Sequence, residues 1–521
     1  MTERANFTID GRPAEAEADV SLLAALWNEG VRAVRTSVTG EARGPLCGMG
    51  TCFECRVTVD GQAHVRSCLT SMRDGMSVGL RDASPLGESA DTAAATPHGV
   101  SEAPLQADVV VVGGGPAGLA AAVHAAEAGA RTLLVDTNPR PGGQIWRHRK
   151  GPPAAASDWI ARFARARVTP LVGATVVDAV DKELLLDHEG RPRRVRFERL
   201  VLATGARERF LPFPGWTLPG VVGVGGAQAM LKAGARFSGK RVVVAGSGPL
   251  LLAVAAALAG DGAHIVGVAE QAPLGRLVAF GAGLWRTPRK IAEGLGYAAR
   301  LVGVPWRTGA WVREVEDEHG TLRATLTDGS RTWSWDCDVL ACGYGLVPNL
   351  ELARLLGCRT AADRVVHGAA QQTSVPGVFA AGELGGIAGV DHALVTGAIA
   401  GLAAAGREVP AALARRRTRE LAFAARLGHA FGLRDELLGL ARPDTPLCRC
   451  EDVAHGRFEG VASSREAKLA TRAGMGPCQG RVCGPALGFA HGWPSDNIQP
   501  PLFPTPLAVL AQGNDEARDP I

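Results

Sequence analysis

The sequence predicts an α/β protein built on two dinucleotide-binding βαβ units, with a small cysteine-bearing α+β domain in front and a second cysteine-bearing unit behind. Three observations predict it. Asp108-Val-Val-Val-Val-Gly-Gly-Gly-Pro-Ala-Gly118 opens a strand, turn and helix that lead to Leu133-Leu-Val-Asp136. The same kind of opening recurs at Lys240-Arg-Val-Val-Val-Ala-Gly-Ser-Gly-Pro249 and leads to Glu270. Of the 11 cysteines, eight fall in two tight groups of four.

The first opening is the more complete. Its valines read as a strand buried on both faces. Gly113-x-Gly115-x-x-Gly118 then starts a helix whose first N–H groups lack acceptors, which makes a pyrophosphate seat. The glycines let the backbone turn, approach the phosphates and pack helix against strand, and Asp136 is placed to accept from a ribose hydroxyl. In the second opening Gly246, Gly248 and Glu270 fit the fingerprint, but Leu251 replaces the third glycine, and a bulkier residue there is expected to push the helix off the strand. NAD(P), another adenine nucleotide and an empty structural domain all remain open. Glu270 favours a free 2′-hydroxyl, hence NAD over NADP.

At 521 residues the chain suits three or four domains. Charged residues make up 21% and the net charge is +4, so no overall field points to nucleic acid or an anionic membrane. The N-terminus has no apolar signal-like stretch, and the most apolar run, 242–259, is broken by Gly246, Gly248 and Pro249. A cytoplasmic protein without a membrane span is expected, in which the cysteines serve as metal ligands rather than disulfides.

Residues 1–83 form the first domain. Phe7-Thr-Ile-Asp-Gly-Arg reads as a hairpin start, Leu22 to Trp27 as a short helix, and Cys55 to Gly61 as a strand and turn. Cys47-x4-Cys52-x2-Cys55 with Cys68 has the spacing of plant-type [2Fe–2S] ligation. Zinc sites usually pair thiolates in CxxC knuckles, which this array lacks. Gly44, Gly48 and Gly50 let the loop wrap closely, with N–H groups toward sulfur. Residues 84–107, rich in Ala, Ser, Thr, Pro and Gly, read as a flexible linker.

Residues 108–220 and 346–410 are read as two parts of one nucleotide domain, with 221–345 as the inserted second unit. Pro141-Gly-Gly-Gln-Ile-Trp146, with Gly143 and Gln144, is placed near the isoalloxazine if the nucleotide is FAD. No redox CxxC lies between Cys68 and Cys337, so dithiol exchange is not the expected reaction. Arg199-Leu-Val-Leu-Ala-Thr-Gly-Ala206, with Thr204 and Gly205, resembles the segment that closes the first half of the FAD domain in two-dinucleotide-binding flavoproteins. Pro376-Gly-Val-Phe-Ala-Ala-Gly-Glu383 resembles their Gly-Asp motif, with Gly382 kept and Glu383 in place of the aspartate that holds the ribityl chain. Ala393 to Ala405 is helix-like. Cys337, Cys342 and Cys358 read as small core residues, and Arg415 to Arg419 as a solvated helix face. In 411–495, a connecting helix and a last domain, Cys448-x-Cys450 and Cys478-x4-Cys483 flank a segment of helical composition. Four such thiolates suit either a [2Fe–2S] cluster or zinc, with Arg449 and Arg481 offsetting their charge. The tail 496–521 is expected to be too proline-rich for regular structure.

Over nearly its whole length the chain resembles one family. Cys47 to Cys68 is similar to the small ferredoxin-like subunit of hydrogen cyanide synthase and D-hydroxyproline dehydrogenase. Residues from Asp108 onward resemble the FAD-containing α or A subunits of those complexes and of opine oxidases, with kinship to heterotetrameric sarcosine oxidase α. Cys-Arg-Cys-Glu-Asp-Val453 and Gly-Met-Gly-Pro-Cys-Gln-Gly-Arg481 resemble a small helical bacterioferritin-associated-ferredoxin-like [2Fe–2S] module, which favours iron there. The resemblance implies a two-dinucleotide-binding-domain flavoprotein, an FAD Rossmann-like domain with an inserted NAD-like domain, fused behind a plant-type ferredoxin-like domain.

In that family the carbon–nitrogen bond is oxidised on a separate D-amino-acid-oxidase-like subunit, and no positioned base or nucleophile set appears in this chain. The expected role is therefore an electron-transferring subunit of an amino-acid or imino-acid dehydrogenase. It would carry FAD, two [2Fe–2S] clusters and, as the resemblance implies, an FMN at the subunit interface. Two alternatives stand beside it: a self-sufficient NAD(P)H:acceptor oxidoreductase, and a non-catalytic nucleotide-binding scaffold.

Overall fold

A computed structural model describes residues 3–80, 103–149, 151–494 and 498–513. Contacts divide the chain into two units. Residues 1–85, 208–346 and 426–495 form one; 86–207, 347–425 and 496–521 form the other. Of the span read as a linker, 84–107, residues 84–102 lie outside the described residues. Its end is not linker: strand Leu105–Val112 begins inside it.

The unit containing 86–207 is built on a sheet in the order 168–172, 132–136, 105–112, 191–202, 183–188, 174–180, with Val378–Ala380 also pairing Arg191–Leu202. The first four strands are parallel, and Val109 to Val111 are buried on both faces. Helix Pro116–Glu127 follows the glycine turn with proline at its first position, where the missing N–H costs nothing. It packs closely on helix Val390–Ala404. A Cβ on Gly397 would lie 2.1 Å from the Ala117 carbonyl oxygen and one on Gly401 2.2 Å from that of Ala121, so only glycine permits this approach. The tail departs from expectation. Leu502 donates its amide to the Val177 carbonyl at 2.8 Å, and Leu507–Gly513 is a helix. Burial of Leu502 and Val509 gives this segment a reason to order that proline content alone conceals.

The unit containing 208–346 carries two sheets of interest. The N-terminal one runs 12–17, 4–9, 76–79, 56–59, 62–66. Over it lies helix Leu22–Asn28, capped by the Ser21 hydroxyl, which accepts from the Ala24 amide, with Leu22 to Trp27 all buried. The second sheet is parallel throughout, in the order 221–222, 339–344, 241–247, 264–270, 306–308. A three-stranded antiparallel sheet, 311–318, 321–327 and 332–337, is inserted before its returning strand. The C-terminal segment adds the pair Pro446–Cys448 and Val453–Ala454 and the helices Ser464–Thr471 and Cys483–His491.

Helix Ala411–Phe431 carries Arg415 to Arg419 on a mainly exposed face, although Arg417 donates to the Ala369 carbonyl at 2.9 Å. Among the described residues no helix is long and apolar enough to cross a membrane.

Candidate functional site

The glycine turn at 113–118 is held by contacts that no other residue type allows. Gly113 has φ +108°, and a Cβ there would stand 2.2 Å from the Ala203 carbonyl oxygen. A Cβ on Gly118 would meet the Gly113 carbonyl oxygen at 1.7 Å, which is the close approach of helix to strand that the third glycine serves. Gly115 is different: its Cβ position meets only Gly143 Cα, at 3.8 Å. No side chain caps the helix that follows. The turn thus leaves space and uncapped N–H groups where a pyrophosphate is expected, and fits one.

Around the turn, Gly142 donates its amide to the Gly114 carbonyl at 2.7 Å, which sets the 141–146 loop against it. Asp136 is buried, and its carboxyl is pushed above the usual range by that burial, opposed by N–H donors. One oxygen accepts from the Gly114 amide at 2.6 Å and the other from the Asn138 amide and side chain at 2.8 and 2.9 Å. Its duty in this structure is therefore to tie the turn. Thr204 donates its hydroxyl to the Asn349 carbonyl at 2.9 Å, and Gly205 lies beside it at φ +69°. Gly382 donates to the Thr396 hydroxyl at 2.9 Å. Glu383 spends its extra length on its own loop, accepting from the Ala388 and Gly389 amides at 2.8 and 2.9 Å, with its carboxyl raised by burial.

The second unit repeats the tie with a longer acid. Glu270 is buried and accepts from the Gly248 and Ala272 amides, both at 2.8 Å; burial pushes its carboxyl up to about 7. Gly246 has φ +133°, and a Cβ would lie 1.7 Å from the Gly343 carbonyl oxygen. Leu251 is buried in the unit's apolar core, and helix Leu250–Gly260 still forms against its strands. The chain itself closes over this turn. Ser247 donates its hydroxyl to the Phe431 carbonyl at 3.1 Å, and the Gln271 amide nitrogen reaches the Gly432 carbonyl at 3.3 Å.

All eight clustered cysteines are buried. In the first quartet Cys47 hydrogen-bonds Cys52 and Cys55 hydrogen-bonds Cys68. The Met49 amide points at the Cys47 sulfur at 3.3 Å and the Glu54 amide at the Cys52 sulfur at 3.5 Å. Hydrogen bonds from Cys52, from the Met49 amide and from Thr51 hold Cys47 down to about 5 against burial. In the second quartet Cys448 meets Cys450 and Cys483, and Cys450 meets Cys478 at 3.2 Å. Hydrogen bonds with Cys450 and Cys483 hold Cys448 down to about 3. Among the described residues no three His, Cys, Asp or Glu side chains gather closely enough for a single ion. Four thiolates in two pairs at the first site, and in a connected row at the second, fit a two-iron core. By contrast, burial holds Cys337 up at about 12 and raises Cys342 and Cys358, so these are protonated core thiols.

Several buried groups escape sequence reasoning. Glu208 receives the Gly225 amide at 3.1 Å on each oxygen and the Gly226 amide at 3.4 Å, at the start of helix Val224–Lys232. Burial pushes its carboxyl up to about 8. His392 is buried, with Nδ1 lacking a partner and its pKa lowered to about 4, by burial first and then by His367. Neither has a spacing that marks it. Arg449 hydrogen-bonds no thiolate of its own quartet: its Nε donates to Glu54, between Cys52 and Cys55, at 3.1 Å, and its charge acts on the Cys52 sulfur. Arg481 donates to the Cys478 carbonyl at 3.3 Å.

Residues 107–398 match the pyridine nucleotide-disulphide oxidoreductase family, and residues 2–82 match a 2Fe-2S iron-sulfur cluster binding domain. Hydrogen cyanide synthase subunit HcnB of Pseudomonas aeruginosa is 35% identical over 72% of this chain and 90% of its own length. An opine oxidase subunit of the A type, from Rhizobium meliloti, is 34% identical over 78% of this chain and 98% of its own length. The crystal structure of L-proline dehydrogenase from P. horikoshii shares the fold, with a TM-score of 0.69 over 98% of both chains at 17% identity. The matches bear out the FAD-type dinucleotide-binding fold with an N-terminal 2Fe-2S domain. The chain belongs to the oxidoreductase family of the HcnB and opine oxidase A subunits, as an FAD and iron–sulfur subunit.

Proposed function

We propose that this chain is the electron-transferring subunit of a heteromeric amino-acid or imino-acid dehydrogenase, working with a D-amino-acid-oxidase-like flavoprotein. The observation that carries the reading is that a dinucleotide cradle and two buried thiolate quartets share one chain that offers no dithiol pair in the flavin domain. Amine oxidation releases two electrons, a [2Fe–2S] cluster accepts one, and a flavin exchanges either number, so FAD and clusters together supply the conversion. In this reading Gly113, Gly115, Gly118, Asp136, Gly143, Gln144, Thr204, Gly205, Gly382 and Glu383 hold the FAD. Cys47, Cys52, Cys55 and Cys68 hold one cluster, and Cys448, Cys450, Cys478 and Cys483 the other. The domain limits 1–83, 108–220, 221–345, 346–410 and 411–495 belong to the same proposal.

The partner half of the reading has support in an exposed apolar surface. Helices Leu274–Gly283 and Pro288–Ala299 contain no buried residue, and Leu274, Val278, Trp285 and Leu295 are each more than half exposed. Such a surface marks an association site. The Phe431 and Gly432 carbonyls over the second glycine turn weigh against an NAD(P)H entry site at Gly246, Gly248 and Glu270.

The test is purification of the tagged chain from its native cell, with mass spectrometry of its partners and a count of iron and flavin. We expect a D-amino-acid-oxidase-like protein in stoichiometric amount, and flavin bleaching by an amino or imino acid only when it is present. An isolated chain whose flavin is bleached rapidly by NADH overturns the reading in favour of a self-sufficient reductase.

A further inference from the structure

The residues between the cysteines are as buried as the cysteines, and they bind one another. Glu54 lies between Cys52 and Cys55; Arg449 lies between Cys448 and Cys450; both side chains are 1% exposed or less. Arg449 Nε donates to Glu54 Oε2 at 3.1 Å, its Nη1 to the Trp216 carbonyl at 3.0 Å and its Nη2 to the Gly44 carbonyl at 3.3 Å. Arg35 Nη2 donates to both Glu54 oxygens, at 2.9 and 3.1 Å, and to the Arg449 carbonyl at 3.2 Å. A second bridge runs beside the first. Buried Arg43 donates to Asp452 Oδ1 at 2.7 Å, and the Thr39 hydroxyl to Asp452 Oδ2 at 2.7 Å.

We infer that the buried Arg35–Glu54–Arg449 triad couples the two thiolate quartets electrostatically, so that a charge in either cysteine loop sets the reduction potential at both. The inference rests on the two-cluster reading proposed above. Glu54 adjoins Cys55 of the first quartet, Arg449 adjoins Cys448 and Cys450 of the second, and the two side chains are hydrogen-bonded to each other. In a water-excluded interior the potential of a unit charge falls only as the inverse of distance and is little screened by salt. The triad carries one more positive than negative charge and lies between two sites that each become more negative on reduction. Glu54 and Arg449 are thus positioning and potential-setting residues, which act through the cysteine loops that they join.

The opposite signs of the two charges make the test decisive. Redox titration of the full chain, followed by electron paramagnetic resonance of each reduced cluster, should show Glu54→Gln raising both midpoints and Arg449→Gln lowering both. Arg449→Lys should return both toward wild type. Glu41→Gln, which removes a 62% exposed carboxylate paired with Arg43, should leave both in place. Shifts confined to the mutated loop's own cluster, or shifts of one sign from both variants, overturn the coupling. Metal analysis separates this failure from that of the underlying reading. Zinc in place of iron at the C-terminal quartet sinks the two-cluster reading and the coupling with it, whereas iron at both quartets with no cross-effect sinks the coupling alone. If Arg449→Gln loses iron, Glu54→Gln and Arg449→Lys still decide the matter.

Discussion

The two dinucleotide units start from nearly the same sequence and differ at the third glycine and in what is bonded to the turn. Both tie their glycine turn with a buried acid at the end of the next strand, Asp136 to the Gly114 amide and Glu270 to the Gly248 amide. At 113–118 the third glycine is kept, the helix presses on the turn, and the position beside Gly115 stays open. At 246–251 a leucine fills the third position and turns into the core, and the carbonyls of Phe431 and Gly432 occupy partners on the turn. A helix end that presents carbonyl oxygen is the wrong pole for a phosphate. A Cβ on Gly248 would meet nothing within 4 Å, so open space lies beside the second glycine of both turns, and the fingerprint reports the fold in both places.

Breaking the turn should separate fold from ligand most sharply. Gly118→Ala forces a methyl to 1.7 Å from the Gly113 carbonyl oxygen, so we expect a loss of about 3 kcal/mol or more and a flavin-free protein. Gly115→Ala meets nothing closer than 3.8 Å, and should fold normally while losing flavin, because the methyl stands where a ligand must approach. Leu251→Ala should cost about 2–5 kcal/mol by emptying a core site and leave flavin content unchanged. Thermal unfolding and flavin absorbance per chain read all three. Full flavin retention in Gly115→Ala would count against the cradle.

What is legible in the sequence follows the same division. Glycines, strand valines and clustered cysteines act on neighbours a few residues away, so their spacing carries their role. Glu54 and Arg449 meet across 395 positions, and nothing in either local pattern announces it. Charge composition near Cys448 points to thiolate neutralisation, and the guanidinium does act on a thiolate, Cys52 of the other quartet, while it hydrogen-bonds Glu54. Glu383 is legible as a motif residue but not as a loop tie, because its reach depends on where Ala388 and Gly389 turn back. The tail departs from its composition because proline content reports backbone freedom and says nothing of what Leu502 and Val509 bury.

Burial also makes both acids, Asp136 and Glu270, points where pH acts on stability, in the same direction. Burial lifts Glu270 from 4.5 to about 7, so the folded chain keeps a proton that the unfolded chain releases. Stability should therefore fall as pH rises across that window, by about 3 kcal/mol at most, and stay low above it. Glu208, lifted to about 8 in the same unit, acts in the same direction. Glu270→Gln should flatten the fall in thermal midpoint between about pH 5 and 7 without changing flavin content. An unchanged slope would mean that Glu270 is ionised in the folded chain and that its two N–H donors outweigh its burial.

The smallest expected effect sharpens the comparison from the side of the first unit, at Glu383. Its carboxylate reaches the Ala388 and Gly389 amides, at the entrance to the helix that Gly397 and Gly401 press against Ala117 and Ala121. Glu383→Asp shortens the arm by one methylene and should release at least one of these amides, at a cost of about 1 kcal/mol in the flavin-free chain. If the carboxylate serves the loop, flavin affinity should change little, since the shorter acid stands in the position from which a ribityl chain can be met. A large loss of flavin together with unchanged apo stability would show the reverse: Glu383 leaves its loop to hold the ligand, and the cradle closes only when it is filled.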